Sequence, residues 1–242
     1  MSCRRRARQT WPGAVQAVLF DMDGLLVDTE PLWFEAERTV MARLGGVWTA
    51  ADQRALIGRS MSSATSYFLD RAARPASAAQ VADWLMGEMA RLLAERGAQP
   101  LPGAAELLAQ VRAAGIPAGL VTSSERVIMD AVLASLAGRG LGFDATVCRA
   151  DVRHPKPHPE PYLLAAARLG ADPGRCAALE DSATGAASAH AAGCAVVVVP
   201  SFESRGLDRF GLVVPTLTSV NLAMLAALVA RHTPQKPQEE PA

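Results

Sequence analysis

The sequence predicts an α/β protein: a parallel sheet with helices on both faces, and a separate α-helical segment inserted after the first strand. Three observations carry this. From Gly103 onward, short apolar or β-branched runs alternate with amphipathic stretches, the pattern of strands joined by crossover helices. Between Pro31 and Gln99 no convincing strand breaks a run of helical segments. Acidic residues gather just after apolar runs, where open α/β sheets bind ligands.

The elements follow in order. Val15 to Asp21 reads as the first strand. Glu30-Pro31 starts a helix, with Leu32, Phe34, Val40 and Leu44 near one apolar face and Gly45-Gly46 at its end. Helical segments continue over Ala50 to Ile57, Ser62 to Ala73 and Ala78 to Arg96. Leu101-Pro-Gly103 punctuates the return to alternation. Then come a helix from Ala104 to Gly115, a strand from Ile116 to Thr122, a helix from Glu125 to Leu136 and a short strand within Phe143 to Arg149. Glu160 to Leu169 is a helix ending in Gly170, Cys176 to Glu180 a strand, and Ala183 to Ala192 a helix. Ala195 to Val199 is a β-branched strand, and Asn221 to Arg231 closes the chain as a helix.

Half of the 242 residues are hydrophobic and the formal net charge is zero, so nothing in the charge balance favours nucleic acid or an anionic membrane as partner. Cys3, Cys148, Cys176 and Cys194 are scattered without metal-ligand spacing, the usage of reduced thiols in a cytoplasmic protein. No long apolar segment follows the basic start Arg4 to Arg8, so no signal peptide or membrane anchor is expected. Ala177 to Pro200 carries Glu180, Asp181 and His190, which argues against a membrane span. Residues 1–14 and 233–242 read as disordered, solvated tails.

Four stretches carry chemistry. The first is Asp21-Met-Asp23-Gly24, with Asp28-Thr29 following. Carboxylates this close at the end of a buried strand are costly unless paired, and a hard divalent cation such as Mg²⁺, with its preference for oxygen ligands, would resolve the cost. The second is Val121-Thr-Ser-Ser124, where hydroxyls and backbone N–H groups at a strand-to-helix junction suit a phosphate or, more ordinarily, an N-cap. The third is Lys156, held in the proline-stiffened loop His154-Pro-Lys-Pro-His-Pro-Glu-Pro161, where an ammonium can neutralise a nucleophilic carboxylate and a phosphoryl group. His154 and His158 read as loop residues rather than metal ligands. The fourth is Glu180-Asp181-Ser182, with Gly185 after it, a second acidic strand end.

DxDGxxxDT, the strand-end Thr122, KPxPxxY with Tyr162, and EDSxxG resemble in order the four motifs of the haloacid dehalogenase-like (HAD) superfamily, mostly Mg²⁺-dependent phosphatases. The resemblance spans Val15 to Leu228. It implies a Rossmann-like core over 15–30 and 100–232, with 31–99 as a helical cap domain. It also implies roles. Asp21 is the nucleophile that forms an aspartyl-phosphate, and Asp23 is the general acid and base. Mg²⁺ is held by Asp21, the carbonyl of Asp23 and Asp181, with Glu180 acting directly or through water. Thr122, Ser123 and Lys156 bind the phosphoryl oxygens.

Within the superfamily the chain is similar to the β-phosphoglucomutase group and the small sugar-phosphate phosphatases. Asp28-Thr-Glu-Pro-Leu-Trp33 resembles phosphatases of 2-deoxyglucose 6-phosphate and hexitol phosphates, whereas the mutases carry a histidine where Trp33 stands. The resemblance therefore implies a phosphomonoesterase for a small sugar or polyol phosphate, with Glu30, Trp33 and Arg59 as candidate substrate contacts; a monomer is the default expectation. A phosphosugar mutase is the alternative. Among non-enzymes, a phosphorylation-dependent switch is disfavoured by the large helical insert, and an inactive binding protein by the intact Asp21, Asp23, Lys156 and Asp181 set.

Overall fold

The structure, a computed structural model, describes residues 15–56, 61–201 and 206–232. Both expected tails and Arg59 lie outside the described residues. In chain order the elements begin with β1 (Ala17–Phe20), β2 (Val27–Asp28), α1 (Glu30–Arg43), α2 (Ala50–Leu56), α3 (Met61–Leu69), α4 (Ala78–Arg96) and β3 (Gln99–Pro100). They continue with α5 (Ala104–Ala113), β4 (Ala118–Val121), α6 (Arg126–Ala137), β5 (Ala145–Val147), α7 (Glu160–Leu169) and β6 (Cys176–Glu180). The last are α8 (Ala183–Ala191), β7 (Ala195–Val198), β8 (Leu212–Val213) and α9 (Leu222–Arg231).

Contacts divide the described chain into two compact units. The first takes the chain up to Leu26, Pro102–Ser123, and the residues from Phe143 on. Its centre is a six-stranded parallel sheet in the order β5-β4-β1-β6-β7-β8. Strands β1, β4, β6 and β7 are buried along their whole length, which is why they read as continuous apolar runs rather than alternating ones. Helices α7 and α8 pack together against the sheet, and α5 and α9 form a second pair. The side chains of Leu19, Val121, Tyr162, Ala165, Ala178, Ala186 and Val196 share one core cluster. Strand order reverses beside β1, which has β4 on one side and β6 on the other. That is the switch point at which such sheets bind ligands. Gly103 explains the punctuation at Leu101-Pro-Gly103: its φ is +88°, and a Cβ there would lie 2.6 Å from the Thr218 nitrogen.

The second unit comprises Val27–Leu101 and Ser124–Gly142. Trp48 stacks on Phe68 at 4.3 Å between ring centroids and donates its indole N–H to the buried Glu37 carboxylate at 2.9 Å. Helix α4 opens with a capping box between Ser77 and Gln80. Helix α6 packs on α4, and the Ser135 hydroxyl accepts the Ala98 N–H at 2.8 Å. Helix α6 thus groups by contact with the inserted helices rather than with the sheet.

Among the described residues four helices, α1 to α4, lie between Glu30 and Arg96, and individual elements differ locally from the expectation. β1 is shorter than Val15 to Asp21, because ladder pairing with β4 and β6 covers Ala17–Phe20. Helix α3 ends at Leu69 instead of Ala73, because Ala73 and Arg74 turn their N–H groups onto the Leu44 carbonyl at the end of α1, at 3.0 and 2.9 Å. Strands β2, β3 and β8 were not anticipated. Each is two residues long, too short to leave a periodic signal. Among the described residues no helix is long and apolar enough to cross a membrane.

Candidate active site

The carboxyl ends of β1, β4 and β6 meet at the switch point. Parallel register sets Phe20 level with Leu120 and Leu179, so the next residues out are Asp21, Val121 and Glu180. The Asp21 N–H still donates to the Leu179 carbonyl at 3.0 Å, so backbone pairing fixes the Asp21 Cα although the strand has formally ended.

Lys156 reaches this point from the loop before α7. Its Nζ donates to Asp21 Oδ1 at 2.5 Å, Glu180 Oε1 at 2.7 Å and the Val121 carbonyl at 2.9 Å. The ammonium has three N–H donors, and all three are used. Its side chain is 4% exposed, that of Asp21 10%, and that of Glu180 not at all. Burial would lower the lysine pKa, but Asp21 and Glu180 hold it above the ordinary range. Burial raises the Asp21 carboxyl, against the pull of Lys156 and with a further push from Glu180 and Asp181. Burial and Glu180 together lift Asp181 to about 7, opposed by a hydrogen bond from Ser201.

Asp23 is half-buried and its Oδ2 accepts from the Thr122 hydroxyl at 3.2 Å. Thr122 is buried, whereas Ser123 is exposed. Asp181 accepts the Ser201 hydroxyl at 2.7 Å. Gly24 has φ +79°, and a Cβ added there would collide with Asp181 Oδ2. Glycine is thus required both by the turn and by the approach of the acid. Ser182 caps α8 by accepting the Gly185 N–H at 3.0 Å, and its hydroxyl lies 3.4 Å from Glu180 Oε2. Gly185 leaves room for the Glu180 carboxylate, which a Cβ would overlap.

This site fits a hard divalent cation. Asp21, Glu180 and Asp181 each offer a carboxylate oxygen, and the three lie within 4.8 Å of one another. With one ammonium against these acids and nearby Asp23, the negative charge is in excess, and every donor is oxygen. The missing Cβ of Gly24 opens the space beside Asp181.

The structure therefore brings together Asp21, Lys156, Glu180 and Asp181, with Asp23 bonded to Thr122. Glu30 and Trp33 are half-buried on α1 in the second unit, where the Glu30 backbone carbonyl and carboxylate accept from Gln53 at 3.0 and 3.2 Å. His154, His158 and Glu160 also approach one another, but ordinary hydrogen bonds account for it. The Glu160 carboxylate accepts the Arg153 and His154 N–H groups at 2.9 Å each and lies 3.0 Å from His154 Nδ1. His158 Nδ1 accepts the Glu160 N–H at 3.1 Å.

Two participants carry no role in the sequence reading. The Tyr162 hydroxyl, wholly buried, donates to Glu180 Oε1. Ser201 bonds Asp181 from beyond β7. Tyr162 was visible as the last letter of its motif, but only the fold shows where its hydroxyl points. Ser201 follows Pro200 with no motif around it.

The model of the haloacid dehalogenase-like hydrolases matches residues 15–193. Hexitol phosphatase B of Escherichia coli O157:H7 is 34% identical over 221 residues, covering 91% of this chain and 97% of the relative. The CbbY protein of Rhodobacter capsulatus is 32% identical over 202 residues, 80% of this chain and 89% of the relative. The crystal structure of CbbY from Rhodobacter sphaeroides in complex with xylulose-(1,5)bisphosphate superposes with a TM-score of 0.76 at 28% identity, covering 87% of this chain and 99% of that one.

Proposed function

We propose that this chain, a phosphatase of the haloacid dehalogenase-like hydrolase family to which it belongs, is Mg²⁺-dependent, works through an aspartyl-phosphate and takes a small sugar or polyol phosphate. The observation that carries the reading is the buried contact of Lys156 with Asp21 at 2.5 Å, beside two further carboxylates at a sheet switch point. It supports Asp21 as the nucleophile, held in one orientation.

Asp21 attacks phosphorus, and the bond to the leaving oxygen breaks as Asp23 gives that oxygen its proton. Asp23, now a carboxylate, takes a proton from the water that hydrolyses the aspartyl-phosphate. The hydrogen bond from Thr122 holds Asp23 on the side of β4 for both transfers. Lys156 offsets charge on Asp21 and on the transferring phosphoryl group, and the end of β4 with Thr122 and Ser123 supplies phosphoryl contacts. Asp21, Asp181 and the Asp23 carbonyl would hold Mg²⁺, which when bound neutralises phosphoryl charge. Both Glu180 oxygens have hydroxyl or ammonium neighbours, which suits a residue that seats Lys156. Residues 31–99, by their place after the first strand, are read as a cap that selects the substrate.

The substrate class rests on two relatives: one named for hexitol phosphates, the other crystallised with a pentulose bisphosphate. We read the protein as a cytoplasmic monomer; among the described residues Cys148, Cys176 and Cys194 are buried and in no disulfide. The test is phosphate release from hexose, pentulose and hexitol phosphates, nucleotides and phosphoglycolate, with Mg²⁺ and with chelator. Mg²⁺-dependent release concentrated on sugar or polyol phosphates is expected, and Asp21→Asn should abolish it. Near-normal turnover by a folded Asp21→Asn protein would overturn the mechanism. Conversion of β-glucose 1-phosphate to the 6-phosphate without release would make the protein a mutase.

A further inference from the structure

Tyr162 is the member of the buried cluster that the reaction above leaves without a task. It stands in the first turn of α7, wholly buried in the core cluster with Val121, Ala165, Ala178 and Ala186. Those neighbours need an aromatic ring and nothing more; a phenylalanine would fill the same space. The hydroxyl must therefore be explained by what it touches, because a buried hydroxyl without a partner is costly. It donates to Glu180 Oε1, the atom that also accepts Lys156 Nζ at 2.7 Å, and its ring centroid lies 5.2 Å from that nitrogen.

The three acceptors of the ammonium differ in kind. The Val121 carbonyl is fixed in β4, and Asp21 is the group to be aligned. Glu180 is a side chain with rotatable bonds and has to be held by something else. The Ser182 hydroxyl lies 3.4 Å from its other oxygen, a long contact, so the charge-assisted bond from Tyr162 is the stronger restraint. We propose that Tyr162 is a positioning residue: its hydroxyl seats Glu180, Glu180 seats Lys156, and Lys156 thereby holds the Asp21 carboxylate in the orientation that attacks. This rests on the reading of Asp21 as nucleophile, but the hold on Lys156 can be measured without turnover.

The chain has two lysines, Lys156 and Lys236, so protein labelled with [¹⁵N]lysine gives an ammonium spectrum that is simple to assign. Wild-type protein should show a slowly exchanging Lys156 ammonium distinct from that of Lys236. In Tyr162→Phe this signal should shift and broaden, while kcat falls about tenfold and KM stays within about twofold, as expected for loss of one hydrogen bond to a charged group. In a Glu180→Gln background, Tyr162→Phe should cost kcat nothing further, because the residue acts through Glu180. Ala165→Gly, which loosens the same helix, controls for loss of stability and should leave kcat unchanged. An unaltered ammonium signal in Tyr162→Phe would overturn the proposal, as would the same loss of kcat with and without Glu180. Absence of any wild-type phosphate release would instead sink the phosphatase reading, and the ammonium spectra would still decide whether Tyr162 holds Lys156.

Discussion

Replacing Lys156 by methionine keeps the length of the side chain and removes its charge. The site then holds Asp21 and Glu180 facing each other without the cation that bonds both, in surroundings where their side chains are 10% and 0% exposed. Removing one partner of a buried ion pair costs about 3–5 kcal/mol, mostly as the penalty of the charge left behind. Against a total stability of about 5–15 kcal/mol, that is a large fraction. The penalty belongs to the orphaned carboxylates and not to the lost lysine, so removing one of them should return part of it. Lys156→Met/Glu180→Gln is therefore expected to regain about half the loss or more while remaining inactive. Urea unfolding in chelator reads both variants without interference from bound metal. If Lys156→Met cost less than about 1 kcal/mol, or if Glu180→Gln added its own loss instead of relieving the first, the cluster would not be the coupled network drawn here. Lys156→Arg is not a conservative control: a guanidinium is larger and planar, and the three acceptors surround a compact ammonium.

Further outcomes follow from the same geometry. Ser201→Ala removes the hydroxyl that orients Asp181, and Mg²⁺ affinity, measured by calorimetry, should fall about 10–100-fold with the fold intact. Gly24→Ala forces a side chain into a left-handed turn and against Asp181; it should weaken Mg²⁺ at least as much and lower the unfolding midpoint as well. In the helical unit, burial and nearby Glu30 raise the Glu37 carboxyl from 4.5 to about 7, despite the hydrogen bond from Trp48. A raised acid contributes stability that is complete below its unfolded value and is lost as pH rises through its folded value. Stability should thus decline by about 3 kcal/mol between those two points, at about 1.4 kcal/mol for each pH unit. Glu37→Gln, which keeps an acceptor for Trp48, should flatten that slope in urea unfolding.

The order of strands and helices was legible because the central strands are buried on both faces and must be apolar throughout. Asp21 and Glu180 were legible for the converse reason: acids at the ends of such strands contradict their surroundings and need a purpose. The two-residue strands β2, β3 and β8 were not legible, since pairing over so short a length depends on a partner distant in sequence. The early end of α3 was hidden likewise, because it follows from Leu44 offering a free carbonyl across the unit. Helix propensity from Ala72 to Ala73 could not reveal that competition.

The site shows the same division at finer grain. Motifs placed Lys156 among the phosphoryl ligands and Glu180 among the metal ligands, each by its charge. In three dimensions the two residues first satisfy each other, at 2.7 Å, and Tyr162 joins the same oxygen. A buried ammonium with three acceptors cannot swing away without losing one of them; in the function proposed above, its effect on the phosphoryl group would therefore be electrostatic and preorganised. The chain has arginine at nearly every other basic position and lysine here, as a site with three convergent acceptors and no exposed volume demands. Charge, the proline-framed loop, the strand-end position and the order of the motifs identified these residues in the sequence. Their places come from the fold: register between β1, β4 and β6 sets Asp21, Val121 and Glu180 side by side, and Lys156, from the loop before α7, donates to all three.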